Sequence, residues 1–412
     1  MIEKYPLPED WHWVRLGEAV ERIQYGISKK LNSESKGYPI IRMGNIDEGI
    51  LNLSDIRFVD LSEQEAKKYF LLHGDILINR TNSAELVGKS AVFTEQDNYV
   101  FASYLIRLKV KYSEVEPYFL NYIINSFIGR NYVARVARRA IGQVNINSKE
   151  ISAMEVPLPP LPEQKRIATK IQELMQEVER ARNACERRLE AAKALPAAYL
   201  RQVFESEEAK KWERKRLGET LEIIESGSRP KGGVFEIKEG IPSIGAEHLN
   251  SFGKFNFGNM RFIPKEFYQG MTKGKIQKQD VLVVKDGATT GKVSFVGNDF
   301  PYNYAAINEH VFRLRGKDFL KQEFLFWFLY SPLGQAQIQQ EFHGAAQGGI
   351  NQQFAKGVYI QIPPLSIQQR IVTELQEKMA EAEKLCTAIE NQLEAINALP
   401  QAILKKAFRG EL

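Results

Sequence analysis

The chain contains 412 residues, of which 43% are hydrophobic and 26% charged, and its net charge is +5. This composition is typical of a folded chain of two or three domains and excludes a largely disordered one. Two cysteines exclude a disulfide scaffold, and the longest apolar run, residues 324–330, is too short to span a membrane. The first residues lack the pattern of a secretory signal, so we expect a reducing, cytoplasmic compartment.

Residues 1–156 show the pattern of a mixed α/β domain. Short apolar runs between clusters of Gly, Asn and Asp predict strands near residues 39–43, 75–79 and 102–110. A helix is predicted within residues 118–136. The turns between these elements are rich in basic, amide and hydroxyl side chains, which makes them candidate binding loops.

Residues 157–205 predict one long helix that begins after a Pro-Pro-Leu segment and is interrupted by a kink or break at Pro196. These limits leave about 33 helical residues, or about 50 Å. Apolar positions recur every 3.5 residues on average, the spacing of a left-handed coiled-coil seam. The predicted seam consists of Ile167, Ile171, Leu174, Val178, Ala181, Cys185, Leu189, Ala192 and Leu195.

The second half of the chain repeats the first. Arg-Leu-Gly-Glu at 15–18 recurs at 216–219, and the helix-opening segment at 159–167 recurs at 363–371. Residues 206–361 therefore predict a second mixed domain, and residues 362–412 a second long helix that meets Pro400 near its end. Its predicted seam consists of Ile371, Leu375, Met379, Ala382, Leu385, Ile389, Leu393, Ile396 and Leu399.

Taken together, these patterns predict an α+β protein with a pseudo-twofold internal repeat. Two similar mixed α/β domains would be joined by two long helices that form an antiparallel coiled coil. The alternative is that each helix packs only against its own α/β domain. Two matched helices of equal length favour the paired arrangement.

Catalytic and metal-binding motifs are not visible in the sequence. Residues 83–90 nearly match a phosphate-binding loop, but Ser83 replaces the first glycine and a strand-like segment follows. A polar β-turn is the favoured interpretation, and a nucleotide-dependent enzyme is a minor alternative. The histidines and cysteines lack metal-ligand spacing, so we predict no metal site.

Polar turns at corresponding places in both halves predict nucleic-acid contacts instead. Arg, Asn and Gln are residue types that read base edges, and Lys, Thr and Ser hold phosphates. The candidate residues of the first half are Arg42, Asn45, Arg80, Thr81, Asn82, Lys89, Gln143 and Asn145. Those of the second half are His248, Lys285, Thr289, Thr290, Lys292, Gln347, Asn351 and Gln352.

The helix-opening segments at 157–167 and 362–371, with Ala-Leu-Pro at 194–196 and 398–400, resemble the specificity subunits of type I restriction–modification systems. The resemblance covers essentially the whole chain, although Ser366 and Ile367 depart from the opening motif of the first copy. It implies that each domain binds one half of a split, asymmetric DNA site. It also implies association with two methyltransferase subunits and with restriction/translocase subunits, which would carry the S-adenosylmethionine, ATP and Mg²⁺.

This resemblance and the predicted helices together suggest a molecular ruler. A stiff 50 Å pair would separate the half-sites by one to one and a half turns of DNA. The methyltransferase subunits would dock on the exposed helix faces and on residues 199–204 and 403–408. The competing interpretation from another class is a duplicated coiled-coil adaptor that binds proteins and recognises no DNA.

Overall fold

The structure is a computed structural model that describes residues 6–32, 34–47, 49–140, 143–235, 237–344 and 348–412. Its internal contacts divide the chain into two units. Unit 1 comprises Met1–Glu186 with Asn391–Leu412, and unit 2 comprises Arg187–Glu390. Each unit thus contains one mixed domain and a part of both long helices, whereas the four segments predicted from the sequence keep each helix separate.

Unit 1 is built on a central four-stranded antiparallel sheet. The strands of the whole unit are β1 (His12–Arg15), β2 (Val20–Tyr25), β3 (Leu31–Asn32), β4 (Tyr38–Ile41), β5 (Ile46–Asp47), β6 (Ile50–Leu51), β7 (Arg57–Val59), β8 (Ile76–Asn79), β9 (Thr81–Asn82), β10 (Ser90–Val92), β11 (Val100–Phe101), β12 (Leu105–Val110), β13 (Arg138–Ala140), β14 (Gln143–Asn145) and β15 (Glu155–Leu158). Its short helices are α1 (Glu63–Ala66), α2 (Pro117–Asn125), α3 (Phe127–Val136) and α4 (Ser148–Ser152).

The central sheet of unit 1 has the order β10-β8-β12-β2. One face packs against α2 and α3, and Ile76, Leu108, Phe119 and Ile123 belong to one buried cluster there. A second sheet, β11-β4-β7-β3, a three-stranded sheet, β13-β14-β9, and the pairs β1-β15 and β5-β6 complete the domain.

Unit 2 repeats this plan. Its strands are β16 (Glu213–Arg216), β17 (Leu221–Ser226), β18 (Ile241–Ile244), β19 (Arg261–Ile263), β20 (Val281–Val284), β21 (Val293–Phe295), β22 (Ala306–Ile307), β23 (Val311–Gly316) and β24 (Tyr359–Ile362). The long helices are α5 (Leu161–Phe204) and α11 (Leu365–Ala407), and the short ones between them are α6 (Leu217–Thr220), α7 (Lys265–Gly270), α8 (Gln322–Tyr330), α9 (Pro332–Gln340) and α10 (Phe354–Gly357).

The strand pairing confirms the internal repeat at the level of single residues. The central sheet of unit 2, β21-β20-β23-β17, has the same order as that of unit 1. In unit 1 Ile106 pairs with Tyr25, and in unit 2 Phe312 pairs with Ser226. Tyr25 and Ser226 therefore occupy equivalent positions.

The long helices extend further than the sequence predicts. α5 has 44 residues and α11 has 43, and each contains its proline inside the helix. Of the kink or break expected at Pro196 and Pro400, the break was wrong because both helices continue, and a kink stays a prediction. At 1.5 Å per residue each helix is about 65 Å long rather than 50 Å. Proline removes a single helical hydrogen bond, and the turns that follow are held because Phe204 and Phe408 are buried in the cores of the two domains.

Contacts within each unit show that α5 and α11 run antiparallel. In unit 1, Nε of Arg182 donates a hydrogen bond of 3.1 Å to Oδ1 of Asn397. In unit 2, Nζ of Lys193 lies 3.5 Å from a carboxylate oxygen of Glu390, and Nζ of Lys378 lies 5.1 Å from the ring centroid of Tyr199. The helix ends also enter the domain cores, so pairing and packing against the domains occur together.

Burial agrees with the predicted seam at most positions and disagrees with it at three. Ala181, Leu385 and Leu399 are exposed, whereas Cys386 is half-buried. Leu385 and Cys386 both fit a seam that runs from Ala382 to Ile389, because steps of three and four residues are equally allowed. Spacing could not decide between them. The remaining seam positions are buried or half-buried and are Ile167, Ile171, Leu174, Val178, Cys185, Leu189, Ala192, Leu195, Ile371, Leu375, Met379, Ala382, Ile389, Leu393 and Ile396.

A fully buried glutamine fixes the start of each long helix to its domain. Oε1 of Gln164 accepts a hydrogen bond of 3.0 Å from the backbone N–H of Glu116, and its Nε2 donates to the carbonyls of Glu114 and Pro159. Gln368 repeats the arrangement in unit 2, where it bonds Lys321, Phe319 and Pro363. The glutamine of the helix-opening segment therefore sets where each helix leaves its domain.

Candidate nucleic-acid interface

Three backbone segments meet at Arg80 in unit 1. The N–H of Arg80 donates to the carbonyl of Tyr104 at 3.0 Å, and the N–H of Ile146 donates to the carbonyl of Arg80 at 2.8 Å. Beside it, β9 pairs with β14, with Thr81 opposite Asn145. Two of the predicted binding turns are therefore neighbours in space.

Unit 2 has the same arrangement around Lys285. Its N–H donates to the carbonyl of His310 at 2.8 Å, and the N–H of Ile350 donates to its carbonyl at 2.8 Å. Sequence reasoning missed the segment that ends at Tyr104 in unit 1 and at His310 in unit 2. Its only available signal was its place just before corresponding predicted strands of the two repeats.

In unit 1 the predicted turn at Arg42 also belongs to this face. An open cavity of about 680 Å³ is lined by Arg42, Met43, Asn82 and Tyr104 among others. Nδ2 of Asn79 approaches the carbonyl of Met43 at 3.4 Å, which links this turn to β8. All three predicted turns of unit 1 thus converge.

Two predicted binding residues have structural roles instead. Asn45 is buried, its Oδ1 accepts from the N–H of Arg42, and its Nδ2 donates to the carbonyl of Asn52. His248 occupies the equivalent place, is fully buried, and accepts at Nδ1 from the N–H of Gly245 at 2.8 Å. Both side chains cap their own turn, so we correct their assignment as DNA contacts.

Several other predicted residues are partly engaged within unit 1. Arg42 donates to the carboxylate of Asp55 at 2.8 Å, and this hydrogen bond lowers the pKa of Asp55. Thr81 is buried and its hydroxyl donates to Oδ1 of Asn145, so these two side chains hold β9 to β14. Oδ1 of Asn82 accepts from the N–H of Ser83.

The remaining predicted side chains are half-buried or exposed on this face of their unit. Thr290 donates to the carbonyl of Gly287, and Nε2 of Gln352 donates to the carbonyl of Ile224 at 3.3 Å. Gln347 lies outside the described residues. The side chains open to solvent in whole or part are Arg80, Lys89, Gln143, Lys285, Thr289, Thr290, Lys292, Asn351 and Gln352.

The face of unit 2 carries a mixed-charge group that sequence reasoning missed. Nδ1 of His310 lies 2.6 Å from Oδ1 of Asp286, and its Nε2 lies 3.3 Å from Oε1 of Glu309. Nε of Arg229 lies 3.0 Å from the other oxygen of Glu309. Lys285 is therefore close to carboxylates, whereas Arg80 in unit 1 lies beside the ring of Tyr25.

The segment that resembles a phosphate-binding loop has the wrong continuation for that role. Strand β10 begins at Ser90, directly after Lys89. A phosphate-binding loop needs the N-terminus of a helix at this point. The polar-turn interpretation therefore fits residues 83–90.

Burial makes His248 a source of acid sensitivity in unit 2. Burial lowers the pKa of its imidazole, so the folded state resists protonation that the unfolded state accepts near pH 6.5. Stability is therefore fully present above that pH and falls as pH drops below it, by up to about 1.4 kcal/mol per pH unit. We expect His248→Asn to abolish this loss, because Asn45 caps the equivalent turn without titrating.

Chemical unfolding at pH 7.5 and pH 5.5, monitored by hydrogen exchange in residues 241–263, measures the loss of stability on acidification. The loss of stability between the two pH values is compared in the wild-type protein and in His248→Asn. Contributions from other titrating groups are common to both proteins and cancel in this comparison. An equal loss of stability in both proteins would contradict the prediction.

Comparison with known proteins agrees with this architecture. The family model described as type I restriction modification DNA specificity domain matches residues 8–185 and 209–395. The chain is 27% identical over 383 residues to a putative type I restriction enzyme MjaX specificity subunit of Methanocaldococcus jannaschii, covering 90% of this chain and 87% of that protein. It is 24% identical to the StySPI specificity subunit of Salmonella potsdam, covering 98% and 90%.

Solved structures share the fold. A chain from a type I R-M system has a TM-score of 0.75 at 22% identity, covering 99% of this chain and all of that one. The HsdS subunit from Thermoanaerobacter tengcongensis has a TM-score of 0.67 at 23% identity, covering 100% and 99%. The two-domain fold with paired long helices is thereby confirmed.

The duplicated fold and the match of the family model to both halves define a DNA-recognition protein. The chain belongs to the family of type I restriction–modification DNA specificity subunits, because the family model matches both halves. Within the described residues, no helix is long and apolar enough to cross a membrane. The same residues contain no group of three or more His, Cys, Asp or Glu placed to hold a metal ion.

Proposed function

We propose that each domain reads one half of a bipartite, asymmetric DNA site through the face centred on Arg80 or Lys285. The hydrogen-bonded junction of three backbone segments, which occurs in both units, supports this because it places a basic residue at the equivalent position of each unit. The flanking side chains differ: Tyr25 and Tyr104 in unit 1, Ser226 and His310 in unit 2. Different side chains on one scaffold favour two different half-site sequences.

The α5 and α11 pair would set the distance between the half-sites. Each helix contributes to both units, and α5 runs without interruption for 44 residues. Each residue added to an uninterrupted helix lengthens it by 1.5 Å. The number of base pairs between the half-sites should therefore follow the length of the pair.

Adding one heptad to each helix, after Leu189 and after Leu393, tests this function. Both insertions preserve the seam spacing and lengthen the pair by about 10 Å, or about three base pairs. We expect single-molecule mapping of methylated adenines, in cells that carry the chain and its partner, to show an unchanged pair of half-sites with a longer spacer.

A single insertion after Leu189 is the matched control. It should disturb the pairing of the helices and lower methylation at every site. A changed half-site sequence, or an unchanged spacer in the double insertion, would contradict the ruler.

We further propose that the chain is non-catalytic and that its partners supply the chemistry. Two methyltransferase subunits would dock on the exposed faces of α5 and α11 and on residues 199–204 and 403–408, and restriction/translocase subunits would join them. S-adenosylmethionine, ATP and Mg²⁺ would bind only to those partners. Because the proposed ligand is genomic DNA, we place the complex in the cytoplasm.

The adaptor interpretation makes a different prediction about DNA. A specificity subunit with its methyltransferase partner should shift duplex DNA, with an affinity that falls steeply as salt rises. A protein–protein adaptor should show no such shift. Family membership favours the first behaviour.

A further inference from the structure

Arg80 is held in unit 1 through both its backbone and its side chain. Its backbone N–H and carbonyl are both bonded, to Tyr104 and Ile146. Its guanidinium carbon lies 4.7 Å from the centroid of the Tyr25 ring, within the range of a cation–π contact. Backbone and side chain are thus fixed together.

Tyr25 is itself anchored at its far end. Its hydroxyl donates to Oγ of Ser148 at 3.0 Å and accepts from the backbone N–H of Ser148 at 2.9 Å. Ser148 opens α4, and the ring belongs to the last residue of β2. The ring of Tyr25 is therefore held in place between β2 and α4, and the guanidinium of Arg80 lies over it.

The hydrogen-bonding groups of Arg80 are largely unused within unit 1. Nε is buried and has no hydrogen-bond partner among the described residues. One terminal nitrogen makes only a long contact of 3.5 Å with the carbonyl of Ser103. A flat guanidinium that is preorganised and unsatisfied is suited to a planar ligand with two acceptors.

Unit 2 differs at the same place, where Nζ of Lys285 lies 6.0 Å from the centroid of the Phe312 ring and 3.8 Å from a carboxylate oxygen of Asp286. Lys285 replaces Arg80 between the same three segments, and Ser226 occupies the position of Tyr25. A lysine ammonium is a point charge with rotatable donors and lacks the fixed planar fork of a guanidinium. The two units therefore present different chemical groups at equivalent positions, a guanidinium in unit 1 and an ammonium in unit 2.

We propose that Arg80 reads a guanine in the half-site of unit 1, and that Tyr25 is the residue that positions it. Guanine presents O6 and N7 in the major groove, the pair of acceptors that an arginine binds with two hydrogen bonds. This inference rests on the proposed function.

The test uses the complex with the methyltransferase partner and a duplex that carries its mapped site. Each guanine of the unit 1 half-site is replaced, one at a time, by 7-deazaguanine, which lacks the N7 acceptor and leaves every phosphate in place. We expect one replacement to raise the Kd of the wild-type complex about tenfold. In Arg80→Met, which keeps a long side chain but has no hydrogen-bond donor, the same replacement should change the Kd less than about twofold.

Two further variants separate positioning from folding. Tyr25→Leu should abolish the 7-deazaguanine penalty while the slope of affinity against salt stays unchanged, and Tyr25→Phe should retain most of the penalty. Lys285→Ala is the matched control, and it should weaken binding yet keep the penalty in full.

The outcomes distinguish this inference from the proposed function. A penalty of equal size in wild type and Arg80→Met, or a unit 1 half-site in which no guanine is sensitive, would overturn the role of Arg80 and leave bipartite recognition intact. Loss of all sequence-specific binding by the wild-type complex would instead overturn the proposed function.

Discussion

Asp280→Ala is expected to destabilise unit 2 by about 3–5 kcal/mol, because it removes one partner of a buried ion pair. Asp280 is fully buried, and Oδ2 lies 2.5 Å from Nε of Arg313, which is 5% exposed. Its other oxygen accepts from Arg315 at 2.7 Å, and Oδ2 also accepts from the N–H of Gln277. The substitution would leave the Arg313 charge buried without its closest partner.

Urea unfolding followed by hydrogen exchange within β20 and β23 measures this loss. Asp318→Ala, an exposed acidic residue on the same domain, is the matched control and should change stability by less than about 0.5 kcal/mol. Asp280→Leu combined with Arg313→Met should recover part of the stability, because it removes the buried charge as well. A loss of stability below about 1 kcal/mol in Asp280→Ala would disprove the stabilising role of the Asp280–Arg313 ion pair.

Phe408→Ala is expected to destabilise unit 1 by about 3–5 kcal/mol and to free the end of α11. Phe408 is fully buried, and its ring lies edge-on at 5.6 Å from that of Phe119. Pro400 weakens the helix just before this point. Without the ring, the turns beyond Pro400 lose the contact that offsets the missing hydrogen bond.

Hydrogen exchange along residues 401–407 measures the release of the helix end. Phe408→Leu should keep most of the protection because it preserves most of the buried volume. Phe204→Ala in unit 2 should have the corresponding effect on the end of α5, since Phe204 packs on Phe324 and Phe328. Unchanged protection after Pro400 in Phe408→Ala would contradict the anchoring role.

The sequence predicted the architecture well because duplication and heptad spacing are local patterns that repeat. Both helix starts followed from proline chemistry, which acts within a few residues. The helix ends did not, because burial of Phe204 and Phe408 depends on partners far away in the chain. The choice between Leu385 and Cys386 likewise depended on the facing surface, on which the spacing is silent.

The candidate site was predictable in its segments but less so in its residues. Polar turns at corresponding places identified the loops that converge on Arg80 and Lys285. Residue type alone did not distinguish Asn45 and His248, which cap their own turns, from side chains open to solvent. The contribution of Tyr25 was invisible, because a tyrosine at the end of a predicted strand has many ordinary uses.

The division of the chain between the units has a consequence for biosynthesis. Unit 2 is continuous, but unit 1 is completed by Asn391–Leu412, which is synthesised after the whole of unit 2. At roughly 5–20 residues per second, the nascent N-terminal domain waits some ten to forty seconds for the segment that covers Phe119. Its apolar surface is open to chaperones throughout that interval, and a prematurely terminated chain never closes it.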